Sequence, residues 1–300
     1  MELNDNGDMP LSDIIDVGIL MHRDVHFGGQ FDIMLDYYEK EGKGVVPDFD
    51  IERISELKDL ERRSNQNIAP ILLTGADADR VGAAKNAYKK LRSIYEKQAS
   101  AKTKIPQLIA DLILSEEEEP EKEIRALAAE KGAAVPALID LLRSEDFYDP
   151  LFPGYGMAPT LAVKCLGMIG DKRAIIGLFE SIGESDFFNE DSALDALHAI
   201  GKPAKEFLLK VMHGRPLNFD NERAALALGR FRDDPEVADA CFTMLKEIDL
   251  KQNPLLAEYL VLACEGLSDP GKKRDFLALA NRPSTPKALA QDIKTIAAGG

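Results

Sequence analysis

Two histidines, His22 and His26, stand four residues apart in the string HRDVH. On a continuous helix that spacing puts both imidazoles on one face, the arrangement of paired metal ligands. A third ligand would have to be Asp16 or Asp24. Gly28-Gly29 follows at once and ends such a helix, so the pair reads equally as histidines favoured by the negative end of a helix dipole. The expectation is no bound metal, with His22 and His26 the candidates if there is one. His198 and His213 are isolated, and the sequence carries no nucleophile elbow, phosphate loop, zinc motif or dinucleotide fingerprint. No catalytic residue and no cofactor is expected.

Residues suited to gripping a partner are more frequent. Phe147, Tyr148, Phe152 and Tyr155 occupy a Pro- and Gly-rich insertion at 145–159, and Phe187, Phe188 and Phe219 stand in later turns. If those turns align along one edge, the rings form a stripe of anchors; otherwise each ring folds back over its own helices. A second set, Glu180, Glu184, Glu206, Lys210, Glu236, Asp239 and Glu247, is mostly acidic and points to a basic protein or peptide with salt-sensitive association. Glu116 to Glu119 with Glu121 form an acidic loop. Arg80, Lys85, Lys89, Lys90, Arg92, Lys97, Lys102 and Lys104 form a basic stretch, read chiefly as a solvated face.

The formal charge of −15 argues against diffuse attraction to nucleic acid or anionic lipid, because both repel an acidic protein at long range. Cys165, Cys241 and Cys264 sit singly in apolar stretches and read as small core residues in a reducing compartment. Met1 to Pro10 is polar and acidic, unlike a secretory leader, and the expected location is the cytoplasm.

The elements that must position these residues are helical. The sequence is 45% hydrophobic and 30% charged, lacks Trp, and is rich in strong helix formers. Helices are predicted over 11–24 with Ser12 as cap, 30–41, 50–63 with Asp50 as cap, and from Asp77 as cap to about Gln98. Beyond residue 105 the sequence repeats. IPQLIADL at 105–112 is echoed by VPALIDLL at 135–142, with Pro106 and Pro136 each placed in a first turn. Ala162, Leu166, Ile169 and Gly170, followed by Ala174, Ile175 and Leu178, return about 31 residues later as Ala193, Leu197, Ile200 and Gly201. A third copy runs through Ala224, Leu228 and Phe231, with Arg232 at the Gly position. Each copy is a helix with small residues at a close approach, a turn, and a second amphipathic helix, a unit that buries its apolar face only by stacking. Asp171, Asp233 and Asp269 are expected to cap the second helices.

The string AVKCLGMIGDKRAIIGL from Ala162 to Leu178, with GAAVPALIDLL from Gly132 to Leu142, resembles HEAT repeats of the short bacterial PBS-lyase HEAT-like form. The resemblance covers roughly 105–280 and implies an all-α solenoid of stacked antiparallel helix pairs in a right-handed superhelix. The expected organisation is an N-terminal helical cap at 1–75 and the solenoid at 76–300. Relatives of this kind include di-iron enzymes with His-Glu steps, but no His here precedes Glu. Others act on bilin chromophores or excise damaged DNA bases, and the latter want a basic, Trp-bearing face that this sequence lacks. The function expected is a non-catalytic scaffold or adaptor that holds a protein or peptide partner on the solenoid's concave face, formed by the second helices with their acidic set, and on the aromatic inter-repeat edge. The alternatives are a bilin-lyase-like enzyme or accessory, and a helical protein with metal at the N-terminal histidines.

Overall fold

A computed structural model describes residues 14–96, 101–183 and 190–299. The described residues are helical throughout, with no strand, and no helix among them is long and apolar enough to cross a membrane. The chain divides into two compact units, Met1–Leu161 and Ala162–Gly300. The boundary expected at 75/76 therefore falls inside the first unit.

Unit 1 contains α1 (Ile14–His26), α2 (Phe31–Glu39), α3 (Ile51–Ser64), the short α4 (Ala69–Leu72), α5 (Gly75–Tyr95), α6 (Ala101–Leu114), α7 (Glu121–Ala129) and α8 (Val135–Leu142). α1 packs on α4 and α5, α2 on α3, and α6 on α5, α7 and α8. Ile19, Leu20, Phe31, Met34, Ile54 and Leu57 make one core. Met21, Val25, Val81 and Ala84 make another with Leu151 and Phe152 of the insertion.

Local chemistry sets the ends of these helices. Asp50 caps α3 as expected, its carboxylate accepting from the Glu52 amide at 2.9 Å. The cap of α5 is Thr74, not Asp77. Asp77 sits at the third helical position and closes a capping box by accepting from the Thr74 amide at 2.9 Å. Ser12 and Gln98 lie outside the described residues. Pro136 stands in the first turn of α8, but α6 begins a turn earlier than the repeat pattern implied and leaves Pro106 inside the helix.

Two buried ion pairs tie α1 to α3 and the loop after it. Arg23, fully buried, meets Asp24 at 2.7 Å, Glu61 at 2.6 Å and the Asn67 side-chain oxygen at 3.1 Å, with its guanidinium 4.5 Å from the Phe31 ring centre. Arg53 grips Asp16 through two bonds of 2.7 Å. Removing one partner of such a pair strands a buried charge, so both pairs enforce a single packing of α1.

The helix α9 (Ala158–Ile169) leads into unit 2, followed by α10 (Ile175–Ser181), α11 (Glu190–Ile200), α12 (Lys202–Met212), α13 (Phe219–Leu228), α14 (Pro235–Glu247), α15 (Pro254–Ala263), α16 (Pro270–Leu279) and α17 (Lys287–Gly299). α11, α13, α15 and α17 pack in succession, α12 packs on α14, and each helix also meets its sequence neighbour at α10/α11, α11/α12, α12/α13, α14/α15 and α16/α17. Gly170 and Gly201 turn the chain with φ of 66° and 75°, as their spacing predicted. At the third copy, Arg232 keeps φ at −57°, and the chain leaves α13 through the 3-10 turn Gly229–Phe231 instead. Asp269 caps α16 as expected, at 2.8 Å to the Lys272 amide, whereas Asp171 caps the 3-10 turn Lys172–Ala174 that leads into α10, at 2.9 Å to the Arg173 amide. Asp234, not Asp233, caps α14 at 2.9 Å, because the added 3-10 turn moves the cap one residue on. The three cysteines are buried and unbridged.

Close approach governs the turns of unit 2. A β-carbon at Gly266 would lie 2.1 Å from the Arg232 carbonyl oxygen, which is backbone and cannot yield. Gly266→Ala is expected to destabilise unit 2 by about 2 kcal/mol or more, the order of an overpacked core site. Urea unfolding followed by circular dichroism checks it.

Candidate functional site

The two histidines of α1 do meet, but as part of an aromatic hydrogen-bond network. Their ring centres are 4.4 Å apart. His26 Nε2 lies 3.1 Å from the Pro150 carbonyl oxygen, and Nδ1 lies 2.8 Å from the Tyr88 hydroxyl. A carbonyl only accepts, so Nε2 carries the proton and Nδ1 accepts from Tyr88. The Tyr155 ring lies 4.6 Å from that of His26, and its phenol shares the electrostatic surroundings of Tyr37 and Tyr88. The single Tyr37 hydroxyl proton is shared between Glu116, at 2.8 Å, and the Lys43 carbonyl, at 3.0 Å. Phenols thus bring polar groups from the exposed Glu116 and from α5 to the surroundings of the partly buried His26.

His22 lies deeper, 3% exposed, ringed by Phe27, Tyr38, Phe49 and Tyr155. Its Nε2 has no hydrogen-bond partner among the described residues. Burial lowers the His22 pKa to about 2, with His26 adding to the effect, and lowers that of His26 to about 4 against the pull of Pro150 and Asp149. Burial pushes Tyr38 up to about 12 and raises Tyr37, Tyr88 and Tyr155. The cluster is therefore held as neutral imidazoles and phenols at neutral pH. Lys43, buried beside it, donates to the Ser115 carbonyl at 2.7 Å. Its pKa is lowered by burial and raised by Glu116 and Glu118.

Both ring nitrogens of His26 are engaged, while Arg53 holds Asp16 and Arg23 holds Asp24. No group of three His, Cys, Asp or Glu residues suited to an ion exists among the described residues. What the cluster does is fasten. Tyr155, in a left-handed conformation with φ of 56°, sits on Gly44, where a β-carbon would fall 2.2 Å from its ring. Gly42-Lys43-Gly44, legible in the sequence only as punctuation, is the seat of that ring.

The insertion aromatics are consequently not a free edge. Phe152 is 6% exposed, packed with Met21, Val25 and Val81. Tyr155 is committed to the network. Tyr148 is half-buried and donates to the Leu142 carbonyl at 2.7 Å, and Phe147 is half-buried. These four rings fold back on unit 1. Phe187, Phe188 and Glu184 lie outside the described residues. Phe219 is half exposed, with its ring against Gly183 and the Arg223 guanidinium 4.7 Å from its centre.

The acidic set of unit 2 is exposed or half-exposed but largely neutralised. Glu206 pairs with Lys202, Glu236 with Lys205, Asp239 with Lys272 and Glu247 with Arg215. Glu180 and Lys210 are exposed on α10 and α12. Sequence reasoning missed a different convergence. Burial raises the Tyr259 pKa, and the carboxylates of Glu190, Glu258 and Glu222 raise it further. These acids come one each from α11, α15 and α13, so the negative field gathers on the first-helix row. The 31-residue period placed those helices, but no local motif marked the acids.

No family model matches this sequence, and no curated protein matches it.

Two substitutions separate network from surface. Tyr88→Phe strands the His26 Nδ1 acceptor and should cost about 1–3 kcal/mol, whereas Tyr95→Phe, on a phenol 45% exposed, should cost under about 1 kcal/mol. Phe152→Ala should cost about 3–5 kcal/mol as a core truncation. Urea unfolding of each variant measures all three.

Proposed function

We propose that unit 2 is a HEAT-like solenoid of stacked helix pairs and that the protein is a non-catalytic scaffold for a basic protein or peptide. The observation that carries the reading is the packing order of the helices: α11, α13, α15 and α17 follow one another in one row, and α12 follows with α14 in a second. Stacked pairs of this kind share a linear core and leave long lateral faces for a partner. The repeated LGxIGD-type turns of the sequence support the same reading.

Charge distribution favours the first-helix row as the docking face. Ion pairs internal to the unit offset the second-helix acids, while Glu190, Glu222 and Glu258 converge on Tyr259. Exposed Leu255 and Leu262 on α15 flank that convergence in sequence and add apolar contact area. An aromatic set among carboxylates, with leucines beside it, suits a segment carrying Lys or Arg next to apolar residues.

Affinity capture with the full chain tests this. Glu222→Lys combined with Glu258→Lys should reduce retention of basic binders at least about tenfold, with Tm unchanged, and raised salt should act in the same direction. Retention indifferent to both changes would remove the reading.

A further inference from the structure

We propose that His22 and His26 form an acid-released latch that holds the segment 145–157 on α1 and α5. Four contacts fasten that segment: the Pro150 carbonyl on His26, the Tyr155 ring 4.6 Å from that of His26, Asp149 on Arg80 at 2.7 Å, and the side chains of Leu151 and Phe152 against Met21, Val25 and Val81. Nε2–H donates to Pro150 in either protonation state, but Nδ1 accepts from Tyr88 only while the imidazole is neutral, and lifting the segment takes the Tyr155 ring off both imidazoles. Once Nδ1 is protonated it can no longer accept from Tyr88, and the Tyr88 proton has to find another acceptor.

A proton on either ring also places a cation within the aromatic cluster, 4.4 Å from the other imidazole. The charged and titratable groups around the pair do little to welcome it. From the insertion, Asp149 faces His26 but is already paired with Arg80 of α5. From α5 come Tyr88 and, over its ring at 5.8 Å, the cation of Arg92. The 37–44 segment brings Tyr37, Tyr38 and the Lys43 ammonium, which Glu116 and Glu118 face. On α1 itself, Arg23 and Asp24 are bonded to each other.

The sign follows from linkage. Burial holds both histidines below the ordinary value of 6.5, His26 at about 4 and His22 at about 2. The open state, with ordinary histidines, binds protons first as pH falls below 6.5. Opening is therefore constant above about pH 7 and grows through the window from 6.5 down to about 4 for His26, with His22 steepening it. The segment carries its own recoil at Tyr155, whose φ of 56° lies in the left-handed region between Gly154 and Gly156. For Tyr155 that conformation is strained, and burial of its ring is what maintains it. Release uncovers the apolar face of Met21, Val25, Val81 and Ala84.

Hydrogen exchange on the full chain, corrected for the intrinsic pH dependence of amide exchange, reads the opening directly. Between about pH 7.5 and about pH 5 the opening constant of residues 145–157 should rise roughly thirty-fold from His26 alone, with α2 and α3 unchanged. His26→Gln, whose amide can both donate to Pro150 and accept from Tyr88, combined with His22→Phe, should flatten that dependence. A wild-type segment indifferent to pH would overturn the latch, whether or not the double variant folds. So would a rise that survives in the variant, or one in which α2 and α3 open together with the segment.

Discussion

Every helix here has an apolar face that it cannot cover alone, and the whole molecule is a set of answers to that one requirement. In unit 2 that cover comes in a row: α11, α13, α15 and α17 pack in succession, and α12 packs on α14. Such packing tolerates no side chain where backbones cross, which is why Gly266 abuts the Arg232 carbonyl and why Gly167 lies where a β-carbon would come 3.0 Å from Ala196. In unit 1 the answer is irregular, and polar groups must be buried along with apolar ones. Arg23, Asp16 and the His22 cluster are the result; Glu61 and Arg53, distant in the chain, pair with the first two, while His22 Nε2 keeps no partner among the described residues.

That difference explains what could be read in advance. The repeat signal of unit 2 is local and periodic, so helix ends at Gly170 and Gly201, caps at Asp171 and Asp269, and the buried cysteines all follow from short windows of sequence. Where a window departs from the pattern, as at Arg232, the exit from the helix changes and the cap moves to Asp234. The site in unit 1 has no such window. Tyr37, Tyr88 and Tyr155 are separated by 50 residues or more, and only the folded chain brings them to His26. The histidine spacing was legible, but the identity of its neighbours was not, and the neighbours decide whether imidazoles bind metal or phenols.

The insertion shows the same limit from the other side. Its aromatics and prolines resemble an exposed recognition loop by composition, yet Leu151 and Phe152 complete a core that α1 and α5 leave open. Aromatic side chains carry large apolar area, so where an uncovered helix face lies within reach they are drawn to it before any partner arrives. Charge behaves similarly: acids on the second helices look available in one dimension but find Lys202, Lys205, Lys272 and Arg215 within the same unit.

The clustering of phenols also gives the chain an optical asymmetry. There is no Trp, and of the seven tyrosines six, Tyr37, Tyr38, Tyr88, Tyr95, Tyr148 and Tyr155, belong to the first unit, leaving Tyr259 alone in the second. Near-ultraviolet absorbance and emission therefore report almost wholly on one half of the molecule. The second unit stays nearly dark, and a spectroscopic transition in this protein is a statement about residues 1–161 unless a second chromophore is introduced.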